Sequence, residues 1–224
     1  LETLEEYPNI SRTYYYIAQT YSALKMWDKA FEYAIKRIEH PDKGYSEEIT
    51  ESYLICADIA RLEFKWDWDK CENLYMKCYI NDPLRADALY ALGMYYKILQ
   101  PKRAFEYLKK GYELGVPVHV TSNLRYDIYN NLLPKALIEL CYQLKEYNLG
   151  EKIAKKYLTI YSDDTMLSYY KIFNLLNLNI PIDIKKDNKN IICFVSYNSF
   201  NDWNGESIYT EGLGGSETFI VELS

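Results

Sequence analysis

Apolar residues recur along most of the chain at steps of three and four, the spacing that turns one face of a helix inward. Tyr14, Ile17, Ala18 and Tyr21 mark such a face. After a break around Met26-Trp27-Asp28, Ala30 and Ala34 mark a second, closed by Pro41. The same order returns as Tyr53, Cys56, Ala57 and Ala60, then Cys71, Tyr75, Cys78 and Pro83, with about two extra residues in the turn around Lys65-Trp66-Asp67-Trp68. It returns as Leu89, Leu92, Gly93 and Tyr96, then Ala104, Leu108 and Gly111, with a turn at Gln100-Pro101. A weaker copy reads Leu137, Leu140, Cys141 and Leu144, then Ala154 and Tyr157, with its turn placed at Tyr147 to Gly150. The pattern predicts four helical hairpins. Small residues such as Ala18 and Ala30 let the two helices of a hairpin approach closely. A hairpin that cannot bury its face alone must stack on the next, so the copies form a curved solenoid.

Residues 115–134 interrupt the period. Gly115-Val116-Pro117-Val118 is a breaker, and Asn123 to Asn131 reads as a short helix covering the preceding hairpin. Residues 165–178 read as a final capping helix, and Pro181 to Asn190 as a polar linker. The end of the chain changes character. Residues 191–196 (Ile-Ile-Cys-Phe-Val-Ser) have the apolar, β-rich pattern of a buried strand. A polar loop of about fifteen residues leads to Gly212-Leu213-Gly214-Gly215-Ser216-Glu217, and Thr218 to Leu223 is suited to open a helix. Strand, Gly-rich turn and helix start is how an α/β nucleotide-binding domain begins. The predicted architecture is therefore mainly α: an α-solenoid over 1–180, a linker over 181–190, and over 191–224 the first strand–loop–helix unit of a truncated Rossmann-like domain. The lack of Met at position 1 agrees with a piece of a longer protein.

Composition narrows the function classes. Tyr is abundant, 25 of 224 residues, and its apolar ring with a polar tip suits half-buried faces of stacked helices. The net charge of −6 argues against a surface that tracks phosphates, and so against a nucleic-acid partner. The most apolar window, Met166 to Ile182, contains Lys171, several Asn and Pro181, too polar to span a bilayer. The five Cys residues have no C-x-x-C spacing and read as reduced, buried thiols of a cytoplasmic protein. His40 and His119, the two histidines, lie far apart, so no metal site is expected. Asp163-Asp164 is placed in a turn, and Glu5-Glu6 and Glu47-Glu48 on solvated faces or caps. Trp66 and Trp68 are expected to pack between hairpins, with an exposed pair that holds a sugar or peptide as the alternative.

Two features carry a resemblance. The large, small and aromatic positions of the four copies, with Pro at the end, follow the tetratricopeptide pattern. Arg12 to Tyr21 and Asp82 to Tyr90 are similar to the tetratricopeptide region of large multidomain glycosyltransferases. The C-terminal run resembles the first strand and loop of a GT-B retaining glycosyltransferase of the glycogen-synthase-like superfamily, with Trp203 in the loop ahead of Gly212 to Glu217. That resemblance implies a nucleotide-sugar donor whose diphosphate meets the loop. It assigns backbone contacts to Gly214 and Gly215, and places Gly212, Ser216, Glu217 and Trp203 in the same donor loop. Exposed N–H groups at a helix start favour anions. Ser216 as a helix cap and Glu217 at the helix start are the alternative roles. A dinucleotide dehydrogenase fits less well, since its fingerprint needs Gly where Glu217 stands.

Three functions compete on this reading. In the first, the chain is the helical-repeat interaction region of a glycosyltransferase and is inactive alone, with no catalytic residue, metal or cofactor of its own. In the second, it is a stand-alone scaffold that binds a protein or peptide partner on the concave face, with Tyr15, Gln19 and the neighbours of Asn123 as candidate exposed residues. A chaperone-type carboxylate clamp would need more Lys and Arg on the first helices than this chain has. In the third, the open edges of the strand at 191–196 make it a self-association module.

Overall fold

A computed structural model describes residues 10–120 and 123–178, and the backbone at 192–193 and 220–221. Its helices pair as the apolar spacing requires: α1 (Ser11–Ala23) with α2 (Trp27–Glu39), α3 (Ser46–Leu62) with α4 (Trp68–Asn81), and α5 (Asp87–Leu99) with α6 (Pro101–Leu114). The fourth hairpin joins α7 (Leu133–Gln143) to α8 (Tyr147–Leu158), and α9 (Asp164–Asn177) caps the stack on α8 and α7. Among the described residues this is a tetratricopeptide-like helical solenoid. No described helix is long and apolar enough to cross a membrane.

The turns explain where the first helices stop. Lys25, Lys65 and Lys145 adopt φ of 57°, 53° and 64°, the left-handed bend that folds a chain back at a helix end. That bend brings the N–H of Met26 onto the carbonyl of Tyr21 (2.9 Å) and that of Glu146 onto Cys141 (2.8 Å). The third hairpin uses Pro101 instead, at the first position of α6, where a missing N–H costs nothing. Pro41 and Pro83 each stand two residues beyond the end of α2 and α4.

Small residues set the distance between helices. Ala18, Ala30, Ala34, Ala57, Ala60, Ala104 and Ala154 are fully buried. Gly93 lies against Leu108, Gly111 against Leu133 and Gly150 against Phe173. Apolar clusters link hairpins one and two, two and three, and three through to the cap, so the core is continuous along the stack. Cys56, Cys71, Cys78 and Cys141 are buried free thiols in it, and burial pushes Cys56 and Cys141 up to about 12.

Four expectations change. The fourth turn is Leu144 to Glu146, not Tyr147 to Gly150. Gly150 lies inside α8, where a Cβ would stand 2.5 Å from the Phe173 ring, so it is a packing glycine and not a turn glycine. Asn123 to Asn131 is not a separate short helix. The chain is irregular to Arg125, and the helix that begins at Tyr126 runs through a π turn (Ile128–Leu132) directly into α7. Pro134 is the reason for that wide turn: it has no N–H to give and would crowd the carbonyl four residues back. Glu48 is no solvated charge. It is 5% exposed and bonded to Arg37, itself fully buried (Nε–Oε2 3.2 Å). At Ile220–Val221, inside the stretch expected to open a helix, the backbone is extended and pairs antiparallel with Ile192–Cys193. The rest of the expected Rossmann start, and the whole of the linker, lie outside the described residues.

Candidate functional site

The first helix of each hairpin lines one side of the stack. α1 touches α3, α5 touches α7 and α7 touches α9, more than the second helices touch one another, while the second and third hairpins meet through α4 and α5. First helices stacked side by side in this way form the inner side of a helical-repeat solenoid, so α1, α3, α5 and α7 are assigned to the inner groove.

The residues of this groove follow from the repeat phase. Counting from Tyr14, Tyr53 and Leu89, the first marked residues of the first three copies, the position two residues earlier is Arg12, Glu51 and Asp87. One residue later come Tyr15, Leu54 and Tyr90, and five later Gln19, Asp58 and Met94. The first of these positions is charged in all three copies, and the other two mix polar and apolar residues.

At the centre of the groove is a charge cluster around Arg85, which is 2% exposed. Its Nε donates to Asp87 Oδ2 (3.1 Å) and its Nη1 stands 2.6 Å from Glu51 Oε1. Asp87 Oδ2 also accepts from the Tyr129 hydroxyl (2.5 Å), which in turn accepts from the Ala86 N–H (3.0 Å). Burial pushes the Glu51 carboxyl above its usual range, and Arg85 and Arg125 only partly oppose that rise. Breaking such a buried pair by removing one partner leaves a bare charge and costs about 3–5 kcal/mol, so this cluster is fixed.

Beside it the groove is wetter. Asp58 accepts from the Tyr75 hydroxyl at Oδ1 (2.6 Å) and from Arg125 Nη1 at Oδ2 (2.8 Å). Desolvation opposes the Arg125 charge, but Asp58, with Glu51 and Asp87 behind it, outweighs this and raises the guanidinium further. Tyr15 accepts at its hydroxyl from Gln19 Nε2 (2.8 Å) and Asn123 Nδ2 (2.5 Å), and burial followed by the charge of Glu51 pushes it up to about 12. Tyr90 sits half-buried near Arg61, Asp127 and Glu139. Lys97 of α5 pairs with Glu139 of α7 across the groove.

The sequence-named residues fall unevenly on this frame. Gln19 is half-buried, its amide donating to the Tyr15 hydroxyl. Tyr15 is 3% exposed, so it is a covered groove residue and not an open one. Trp68 packs between the second and third hairpins, stacked on Tyr95 (ring centroids 3.4 Å apart) with Nε1 donating to Tyr96 (2.8 Å). Trp66 packs edge-on against Phe31 (5.2 Å) and lines an open outer hollow of about 380 Å³ with Asp69, Lys70, Asn73 and Leu74. His40 and His119 serve separate loops, His119 meeting Asp82 at 2.9 Å. Asp163 caps α9 through the Met166 N–H (2.9 Å) and pairs with Lys135 (2.7 Å). Among the described residues, no group of three or more His, Cys, Asp or Glu converges to hold a metal ion. Trp203, Gly212, Gly214, Gly215, Ser216 and Glu217 lie outside the described residues. Sequence reading misses Glu51, Asp58, Arg85, Asp87 and Arg125. The available signal is the repeat phase for Glu51, Asp58 and Asp87; Arg85 and Arg125 stand in connections and have none.

Comparison with protein-family models gives no match, and comparison with curated proteins gives none. Among solved structures, the chain is similar to a thermophilic TPR protein of Thermus thermophilus at 17% identity and a TM-score of 0.44, over 78% of this chain and 86% of that one. It is also similar to yeast Tom70 at 14% identity and a TM-score of 0.40, over 79% of this chain and 42% of that one. The assignment of the fold rests on the four hairpins themselves: their small-residue contacts, their turns and their inner stripe.

Proposed function

We propose that this chain is a protein-interaction scaffold whose inner groove holds a peptide segment of a protein partner. One observation carries the reading. Each of the first three hairpins presents half-buried hydrogen-bonding or charged side chains on this side, Gln19 and Asp58 at one repeat position with Arg61 and Tyr90 beside them, where packing alone would be met by apolar residues. A peptide laid across the first helices meets such a row at each step. The test is a twelve-residue display library selected against the 224-residue chain, with binding of the selected peptides followed by calorimetry. Tyr90→Arg in the groove should abolish binding, and Asn73→Arg on the outer side should leave it intact. Peptides lost with Asn73→Arg and kept with Tyr90→Arg would place the site on the wrong face and sink the proposal.

The finer reading is that this scaffold serves a nucleotide-sugar glycosyltransferase. It is supported by the resemblance of Trp203 and Gly212 to Glu217 to the GT-B donor loop. Donor hydrolysis by the longer natural protein, lost on Gly214→Trp and Gly215→Trp, is the expected outcome. Absence of donor binding by that long form would leave the scaffold without the transferase.

A further inference from the structure

The break between the third and fourth hairpins is where the chain returns over its own groove. Asn123 donates to the Tyr15 hydroxyl of the first hairpin, 108 residues away in sequence. Arg125 donates to Asp58 of the second hairpin, 67 residues away. Tyr129 donates to Asp87 at the start of the third, 42 residues away. Residues 123–129 thus touch the first helices of three successive hairpins in order, running across them.

The three contacts differ in kind. Tyr129 is buried and tied to both Asp87 and the Ala86 N–H, an anchor of the fold. Asn123 and Arg125 are exposed residues, and the Arg125 and Asp58 side chains keep 39% and 24% of their surface. The protein desolvates one side of the Arg125 guanidinium, but its other side stays in water, and ion pairs open to water contribute only about 0–1 kcal/mol. On the approach side, Gly115 turns with φ of 66° and open space around it. The arm is pinned at Tyr129 and at Leu124, which is half-buried against the apolar cluster of the third and fourth hairpins, while the side chains of Asn123 and Arg125 are held over the groove by polar contacts alone. Arg85 is set against Glu51 and Asp87, and Arg125 against Asp58 with the same two carboxylates behind it. Arg85 is buried and held by two carboxylates, so Arg125 is the one that can leave.

We propose that Asn123 to Arg125 are an internal stand-in for the partner, and that the partner is a segment of another protein whose arginine or lysine replaces Arg125 against Asp58, Glu51 and Asp87. The proposal rests on the groove reading above and adds the partner's charge and the need to displace the Asn123 and Arg125 side chains. The net charge of −6 draws a basic segment toward the chain at long range.

A random twelve-residue display library selected against the Asn123→Ala/Arg125→Ala variant tests it, with far-UV circular dichroism checking that each variant is folded. Selected peptides should be enriched in Arg or Lys at one position. They should bind the unsubstituted chain about 5-fold more weakly, the factor set by displacing a contact worth about 1 kcal/mol. Asp58→Asn in the variant background should weaken them further, and replacing their cation with Glu should abolish binding. Peptides that bind the groove with no cation preference, or equally tightly with and without the arm residues, would overturn the stand-in and leave the groove. Selection of no groove-binding peptide against either chain would overturn the groove reading itself.

Discussion

Replacing Gly93 by Ala sets two effects of opposite sign against each other. In the middle of a helix, Ala is ordinarily better than Gly by about 1 kcal/mol, because Gly loses more backbone freedom on folding. At Gly93 the added Cβ would stand 2.5 Å from Leu108 Cγ, 2.6 Å from Leu108 Cδ2 and 3.4 Å from the Ala104 carbonyl oxygen. Carbon atoms rest at about 3.5–4.0 Å, so Leu108 must move by about 1 Å. It has nowhere to go: Leu108 is fully buried in a cluster with Ala104, Leu133 and Leu137. Overfilling a packed core costs about 1–3 kcal/mol, and an overlap of this size belongs in the upper part of that range. The clash wins, and Gly93→Ala should destabilise by about 1–2 kcal/mol. Urea unfolding of the 224-residue chain, followed by circular dichroism and Trp fluorescence together, should show a midpoint lower by about 0.5–1 M at unchanged slope. Leu108→Ala supplies the internal control. Alone it opens a cavity and costs about 2–5 kcal/mol. With Ala at 93 the new methyl enters that space, so the double variant should be more stable than the sum of the singles by at least about 1 kcal/mol. A raised midpoint for Gly93→Ala, or strict additivity in the double, would refute the reasoning.

Two further outcomes follow from the helix ends. Lys25→Gly and Lys145→Gly should each stabilise the fold by a few tenths to about 1 kcal/mol, since a left-handed residue with a Cβ is strained by about 1–2 kcal/mol. Gly115→Ala, at φ of 66° with no atom within 4 Å of the new methyl, should lower stability through the backbone alone, and a neutral result in both directions would remove the strain argument. At Asp163, partial burial raises the carboxyl, but Lys135 and the N–H groups of Met166 and Thr165 outweigh it and hold it below its usual range. A lowered carboxyl stabilises the fold fully above its unfolded value, about 3.9, and loses that contribution as pH falls through the folded value. Asp163→Asn should therefore be less stable than the parent by a constant amount from about pH 5 to 8, with the gap closing below about pH 4; a gap that persists at about pH 2.5 would show that the charge is not the cause.

The hairpins are legible because their signal is local and repeated. Tyr14, Ile17, Ala18 and Tyr21 state a helix face by themselves, and three further copies repeat the phase. Gly150 is misread because a glycine that spares a turn and one that spares a neighbouring ring look the same in sequence; only Phe173, from a helix placed by the fold, separates them. Glu48 is misread for a related reason, since its partner Arg37 lies in the preceding helix and the pair is made only when the two hairpins stack. The groove is half legible. Repeat phase sets Glu51, Asp58 and Asp87 in one stripe, but the cations come from Arg85 and Arg125, which no period governs.

The interrupting segment shows why a repeat fold can carry such a device at little risk. Insertion between hairpins leaves the stack intact, since Gly111 of α6 still meets Leu133 of α7 and one apolar cluster runs from Ala86 to Phe173. The extra chain must then lie over one side, where its backbone polar groups can still reach water. On the groove side it finds side-chain partners in Tyr15, Asp58 and Asp87 in place of an apolar surface. What holds the hairpins is buried and apolar, and what holds the side chains of Asn123 and Arg125 is polar. Stability and binding are thus set by different residues. Changes at Gly93 or Leu108 should register in unfolding, and changes at Asn123 or Arg125 should register in binding with stability moved by less than about 1 kcal/mol.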